Sequence, residues 1–186
     1  MADQLTFAAF AGSLRAGSYN RMLLNAVVKA APSDVRIDVI DVHDVPLYNM
    51  DIDGDKSPEP VKRLRERIKA ANGLIIVTPE HNYAMSGVTK TVIEWASRPP
   101  EDPSLDLKPA AVMGAATGGF GTVRAQANVR QTAPETGLLF LQDPEIRVSF
   151  AQKKFNEAGE LTDEDLKKQL GTFWTAMIAW TRKMGR

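Results

Sequence analysis

Leu5-Thr6-Phe7-Ala8-Ala9-Phe10-Ala11-Gly12-Ser13-Leu14-Arg15-Ala16-Gly17-Ser18-Tyr19-Asn20-Arg21 reads as a strand, a polar glycine-bearing loop and the first turn of a helix. Leu5 to Ala11 is apolar apart from Thr6, which suits a strand buried in a core. Past the loop, Met22, Leu23, Ala26, Val27 and Ala30 fall near one helical face across Tyr19 to Ala31. A buried strand feeding an amphipathic helix through a short loop is the opening of an α/β fold.

The same device recurs along the chain. Strand character returns at Val35 to Asp41, Leu74 to Thr78, Ala110 to Ala116 and Leu138 to Leu141. Helical patterns lie between them: Val61 to Ala71 with Leu64, Ile68 and Ala71 on one face, a segment through Lys90, Ile93 and Trp95, and another after Gly121. A last helix is predicted to start near Thr162, where Thr162-x-x-Asp165 resembles a capping box with a shortened acid. Strict alternation requires right-handed crossovers, so the expectation is one doubly wound three-layer domain over 1–186 with a five-stranded, mostly parallel sheet. Ser57-Pro58-Glu59-Pro60 and Arg98-Pro99-Pro100-Glu101-Asp102-Pro103 read as loops rather than domain linkers. Aromatic residues at helical spacing, Trp95, Trp174 and Trp180, and with them Phe120, are expected in the core.

Bulk composition narrows the chemistry. The 23 basic and 23 acidic residues cancel, so no net field recruits nucleic acid or an anionic membrane. Cysteine is absent, which excludes thiolate metal sites and a cysteine nucleophile; redox chemistry would have to come from a bound group. Met1-Ala2-Asp3-Gln4 lacks the basic region of a signal peptide, and no run approaches the roughly 18 apolar residues of a membrane span. A cytoplasmic protein is expected.

In doubly wound sheets ligands bind beyond the carboxyl ends of the strands, so the loops after the first, third and fourth strands carry the functional reading. The first, Gly12 to Arg21, combines hydroxyls, glycines and guanidinium groups at a helix N-terminus, a composition suited to phosphate. Its bland alternative is a plain turn in which Ser18 is only the helix cap. Gly12 and Gly17 have Walker A spacing, but Ser18 and Tyr19 replace the Lys and Ser/Thr; Leu14 breaks the dinucleotide fingerprint, although Asp41 sits where a ribose-binding acid would. A monophosphate fits best. Thr78-Pro79-Glu80-His81-Asn82-Tyr83 offers neither a triad nor a metal set, and His81 reads as satisfied or solvent-facing. Glu80 is open to three readings: a general base, an anchor for a ring N–H, or an anchor for a helix end. Thr117-Gly118-Gly119-Phe120-Gly121 lets backbone approach a ligand, with Arg124 and Arg130 in the helix that follows. A receiver domain of similar fold would need acids where Gly12-Ser13 and Thr78-Pro79 stand.

Taken together, Gly-Ser-Leu-Arg-x-Gly-Ser-x-Asn at 12–20, Thr-Pro-Glu-x-Asn-Tyr at 78–83, and Ser86-Gly87 continuing through Lys90, Ile93, Glu94, Trp95, Ser97 and Arg98 resemble the NADPH-dependent FMN reductase family. That family includes quinone, chromate and azo-dye reductases. The resemblance implies a flavodoxin-like strand order 2-1-3-4-5, bound FMN, and NADPH or NADH as co-substrate. It maps the phosphate to Ser13, Arg15, Ser18 and Asn20, and the isoalloxazine ring to Pro79, Glu80, His81 and Asn82, closed on its other side by Thr117, Gly118 and Gly119. It also implies a homodimer or homotetramer, a quinone-like acceptor, and no catalytic side chain beyond the flavin's own reactive atom. The chain departs from the common pattern at 81, usually Tyr, at Ser86, where Pro is common, and at Thr89, Thr91 and Val92, which replace Leu, Asn and Ala. A histidine beside a flavin titrates near neutral pH, as a tyrosine does not. The alternative is an electron-transfer flavodoxin that oxidises no nicotinamide; such a module would favour a strongly acidic docking surface, which the balanced charge opposes.

Overall fold

The computed structural model describes residues 4–185. The reading of Met1-Ala2-Asp3 therefore lies outside the described residues. In chain order the elements are β1 (Leu5–Ala11), α1 (Tyr19–Lys29), β2 (Val35–Val39), α2 (Glu59–Ala70), β3 (Gly73–Val77), β4 (Glu80–His81), β5 (Ala84–Met85), α3 (Gly87–Ala96), β6 (Pro109–Ala115), α4 (Val123–Arg130), α5 (Ala133–Thr136), β7 (Leu139–Phe140), β8 (Ile146–Val148) and α6 (Glu164–Met184). The main sheet runs β2-β1-β3-β6-β7, with β8 also on β6, and every pairing in it is parallel. Counted without the small β4-β5 hairpin, this is the expected flavodoxin-like order.

Alternation along β1 builds the two sides of the core. Phe7 and Ala9 face α1 and α6, joining Leu23, Val27, Phe173, Trp174 and Met177. Ala8 and Phe10 face the other way, toward Val61, Leu64 and Ile68 of α2 and Val92, Ile93 and Trp95 of α3. β3 and β6 are buried along their whole length, as central strands covered on both faces must be. The buried Trp174 satisfies its indole N–H on the Val27 carbonyl at 3.0 Å, which joins α6 to α1.

Three sequence readings need correction. The fifth strand is split: β7 pairs with the start of β6 and β8 with its end, across Gln142-Asp143-Pro144-Glu145, where a proline without an N–H and three polar neighbours interrupt the ladder. Only the first piece was legible, because Ile146-Arg147-Val148 is too short to show a period. The cap of α6 is Asp163, not Thr162, with its carboxylate accepting from Leu166 N at 2.8 Å. Phe120 lies outside the core at 64% exposure, whereas Trp95 and Trp174 are fully buried. Among the described residues, no helix is long and apolar enough to cross a membrane.

Candidate active site

All three loops singled out in the sequence converge at the carboxyl edge of β1, β3 and β6. The loop after β1 leaves the sheet at Gly12, whose N–H donates to Val77 O at 2.8 Å. It ends at Ser18, the buried cap of α1, whose hydroxyl accepts from Asn20 N at 3.2 Å. Between these ends, the N–H groups of Ser13, Leu14, Arg15, Ala16 and Gly17 have no acceptor among the described residues. Arg15 folds one guanidinium N–H onto Gly17 O at 2.6 Å, and its other donors have no acceptor among the described residues. The loop is thus a run of donors with little to accept from them, set at the positive end of α1, and such a set suits an anion. The bland reading of Ser18 as the α1 cap is correct, but it does not exclude the cradle, because the serine's own hydrogen is still available.

Asn20 has a structural part that its motif does not reveal. Its side chain is buried and clamps the Ala115 peptide from both ends: Nδ2 donates to Ala115 O at 3.0 Å and Oδ1 accepts from Ala115 N at 2.9 Å. It bolts the first turn of α1 to the end of β6 and keeps one amide N–H uncommitted among the described residues. Asp41 accepts from His43 N at 3.1 Å and pairs with His43 Nδ1 at 2.9 Å.

The loop after β3 forms the β4-β5 hairpin, which the sequence reading did not foresee. Asn82 and Tyr83 make its two-residue turn with φ of 51° and 68°, the left-handed pair that a tight hairpin requires. For Tyr83 this conformation is costly. Part of the compensation is the Arg124 guanidinium, stacked 3.9 Å from the Tyr83 ring centre and 4.3 Å from that of Phe120. Glu80 follows the helix-end reading: Oε2 accepts from Arg124 N at 3.0 Å and Ala125 N at 3.2 Å, and Oε1 pairs with Arg124 Nη1 at 2.9 Å. Burial pushes its carboxyl up, yet the guanidinium and the two backbone donors outweigh that and hold it below the ordinary glutamate range. Glu80 therefore supplies the cap that Thr122, in a left-handed conformation with no side-chain cap bond, does not give α4. His81 and Asn82 are exposed, and Pro79 is buried.

Thr117, Gly118 and Gly119 lie exposed on the third side. The segment after β8 holds this loop by its carbonyls, with Phe150 N donating to Gly118 O at 3.1 Å and Ser149 Oγ to Gly119 O at 2.8 Å. The N–H groups of 117–119 have no acceptor among the described residues. Close packing behind the loop requires Gly114, since a Cβ there would lie 2.0 Å from Thr122 Oγ1 and 2.3 Å from Thr78 O.

A parallel doubly wound sheet, a donor-only cradle after β1 and two further loops opposite it define a flavodoxin-like mononucleotide protein. The NADPH-dependent FMN reductase profile matches residues 5–153, and the chain belongs to that family. Over 184 residues it is 41% identical to an NAD(P)H-dependent FMN reductase of Pseudomonas aeruginosa, covering 99% of each chain. A 2-hydroxy-1,4-benzoquinone reductase of a Burkholderia species is 36% identical over 178 residues, with 96% of this chain and 97% of that one covered. Among solved structures, a flavoenzyme NAD(P)H:(acceptor) oxidoreductase from Paracoccus denitrificans superposes with a TM-score of 0.89 at 34% identity, over 98% of this chain and 100% of that one. The protein is an oxidoreductase with FMN as cofactor and NAD(P)H as co-substrate. The donor set of the first loop fits the phosphate of that cofactor.

Proposed function

We propose that this chain, acting as one domain, reduces quinones at the expense of NADPH or NADH. The observation that carries the reading is the open, aromatic-rimmed crevice, where Tyr83 and Phe120 stand 71% and 64% exposed beside the ring loop and offer flat apolar walls to a planar acceptor. The quinone reductases among its relatives support the choice of acceptor. Chromate and azo compounds belong to the same reading as secondary acceptors.

Bound FMN supplies hydride-level redox chemistry between the nicotinamide and the acceptor, which use one face in two successive half-reactions. The chain's own residues bind and orient. Ser13, Arg15, Ser18 and the free N–H groups between them hold the phosphate; Asn20 and Glu80 act behind the cofactor, fixing the loops by their hydrogen bonds to Ala115 and to α4. Pro79, His81 and Asn82 line one side of the ring, and Thr117, Gly118 and Gly119 line the other. No side chain is assigned as a catalytic acid or base.

Assembly as a homodimer or homotetramer is part of the proposal. Leu47 and Met50 are 77% and 71% exposed on the segment between β2 and α2. That segment is held firmly: Arg65 joins Asp53 Oδ1 at 2.8 Å, Ser57 Oγ at 2.9 Å and Trp95 O at 2.9 Å, while Trp95 Nε1 donates to Pro46 O at 2.7 Å. A rigid loop presenting two large apolar side chains suits a second copy of the chain. A cytoplasmic location completes the reading.

The deciding experiment is the visible spectrum of the purified protein under anaerobic conditions. Oxidised flavin absorbance, its bleaching by NADPH and its return on adding a 1,4-benzoquinone are expected, with parallel double-reciprocal lines in steady state. Bleaching without return would reject the quinone reading. A flavin that NADPH leaves oxidised would favour the electron-transfer module.

A further inference from the structure

Under the three loops lies a cluster of hydroxyls that the assigned chemistry does not use. Thr78, Ser86 and Thr89 are all buried, at 0%, 2% and 0% exposure. Ser86 Oγ lies 2.6 Å from Gly12 O, Thr78 Oγ1 lies 3.1 Å from Pro79 O, and Thr89 Oγ1 lies 2.9 Å from Thr78 Oγ1 and 3.0 Å from Ser86 Oγ. Three hydroxyls have three hydrogens for these four contacts. The two carbonyls carry none, so Ser86 donates to Gly12 and Thr78 to Pro79, and the single Thr89 hydrogen passes between Thr78 and Ser86, bonding one of them at a time. Ser86 Oγ also accepts from Thr89 N at 3.1 Å as the cap of α3.

Both carbonyls belong to loops that flank the ligand. In a trans peptide the C=O and the following N–H point in opposite directions, and the peptide units at 12–13 and 79–80 are trans. With Gly12 O turned inward to Ser86, the Ser13 N–H is turned outward into the cradle. With Pro79 O held by Thr78, the Glu80 N–H points away from the cluster. β5 does not consume that N–H: His81 and Ala84 close the two-residue turn, which leaves Glu80 and Met85 as the next, non-hydrogen-bonded pair. Consistent with this, Met85 N turns outward to Asn128 Oδ1 at 3.3 Å. Gly12 itself has no room to shift toward the cluster, because a Cβ there would lie 1.9 Å from Thr89 Oγ1.

We propose that Thr78, Thr89 and Ser86 form a hydroxyl relay of positioning residues that couples the phosphate cradle to the ring loop, so that an anion seated at one end prepares the other for the flavin ring. Neither Pro at 86 nor Leu at 89 has a hydroxyl, so the relay belongs to this chain's departures from the common family pattern. The proposal rests on the placement of FMN described above and deepens it.

The test uses the two ends of the cofactor as separate probes on the full-length apoprotein. Lumiflavin, the ring without its chain, is titrated by fluorescence quenching with and without saturating inorganic phosphate. In wild type, phosphate should tighten lumiflavin at least about fivefold, and by reciprocity lumiflavin should tighten phosphate by the same factor. Thr89→Val, which removes one hydroxyl at nearly constant shape, and Ser86→Ala should bring the factor to about one. Thr89→Ser, which keeps the hydroxyl, should retain it, and Ser86→Ala carries the hydroxyl-free arm by itself if circular dichroism shows Thr89→Val unfolded. A factor equal in wild type and in the folded hydroxyl-free variants, or a wild-type factor of one, overturns the relay and leaves the FMN site intact. Failure of wild-type apoprotein to bind FMN at all overturns both.

Discussion

The loops after β1 and β3 face one crevice and are built in opposite ways. The first leaves its polar groups unspent: five consecutive N–H groups and most of the Arg15 guanidinium have no partner among the described residues. The second spends its polar side chains on architecture, Glu80 on the first turn of α4 and Thr78 on the hydroxyl cluster below. A loop that must hold a charged group keeps donors free and accepts solvent exposure while empty. A loop that must place a flat ring needs rigidity first, and side chains committed to its own frame supply it.

Variants sharpen the contrast by separating stability from binding. The largest effect is expected from Asn20→Ala, which strands the buried N–H and C=O of Ala115; urea unfolding of the apoprotein should show a loss of about 2–4 kcal/mol. Gly12→Ala, with its methyl driven onto Thr89, should cost about 1–3 kcal/mol by overpacking and reduce the flavin retained on purification. Arg15→Ala should do the reverse of Asn20→Ala: FMN affinity falls about tenfold or more by equilibrium titration, while apoprotein stability stays within about 0.5 kcal/mol. Equal FMN affinity in wild type and Arg15→Ala would remove the arginine from the cradle.

Smaller effects probe the second loop. Glu80→Gln should destabilise by about 1 kcal/mol near neutral pH, through the weakened cap of α4. Folding lowers the pKa of the Glu80 carboxyl, so its contribution is complete above the ordinary glutamate range and fades as pH falls through the lowered folded value. The stability gap between wild type and Glu80→Gln should therefore close below about pH 4, and a gap constant down to pH 3 would contradict the assignment. His81→Tyr should alter stability by less than about 0.5 kcal/mol, because the side chain is exposed, and should show only in the pH dependence of turnover. Superimposable pH–rate profiles would place His81 outside the working site.

The strand-helix alternation and the three loops were legible because each rests on local pattern: apolar strands, helical faces and a hydroxyl-rich loop at a helix start; the strand order came from the family resemblance. Ser18 and Arg15 were legible for the same reason, their chemistry being shared with neighbours within a few residues. The resemblance maps Asn20 and Glu80 to the ligand; their hydrogen bonds to Ala115 and to α4 were not legible, apart from the helix-end reading of Glu80, because motif position cannot show where a side chain points and these partners lie 95 and 44 residues away. The hydroxyl cluster had only a faint signal, the Ser86-x-x-Thr89 spacing of a helix cap, which did not suggest a link to Gly12.

By itself the sequence determined the doubly wound α/β architecture, the absence of thiol chemistry, the phosphate-suited loop and the family resemblance. The first three depend on composition and on local pattern, which neighbours along the chain express without help, and the resemblance on the motifs at 12–20, 78–83 and 86–98. Only the tertiary structure decided which polar side chains remain free for a ligand and which are consumed by the frame. That division is set by hydrogen-bond partners brought together from β1, β3, β6 and α4, and a buried polar group takes whichever partner the fold brings to it.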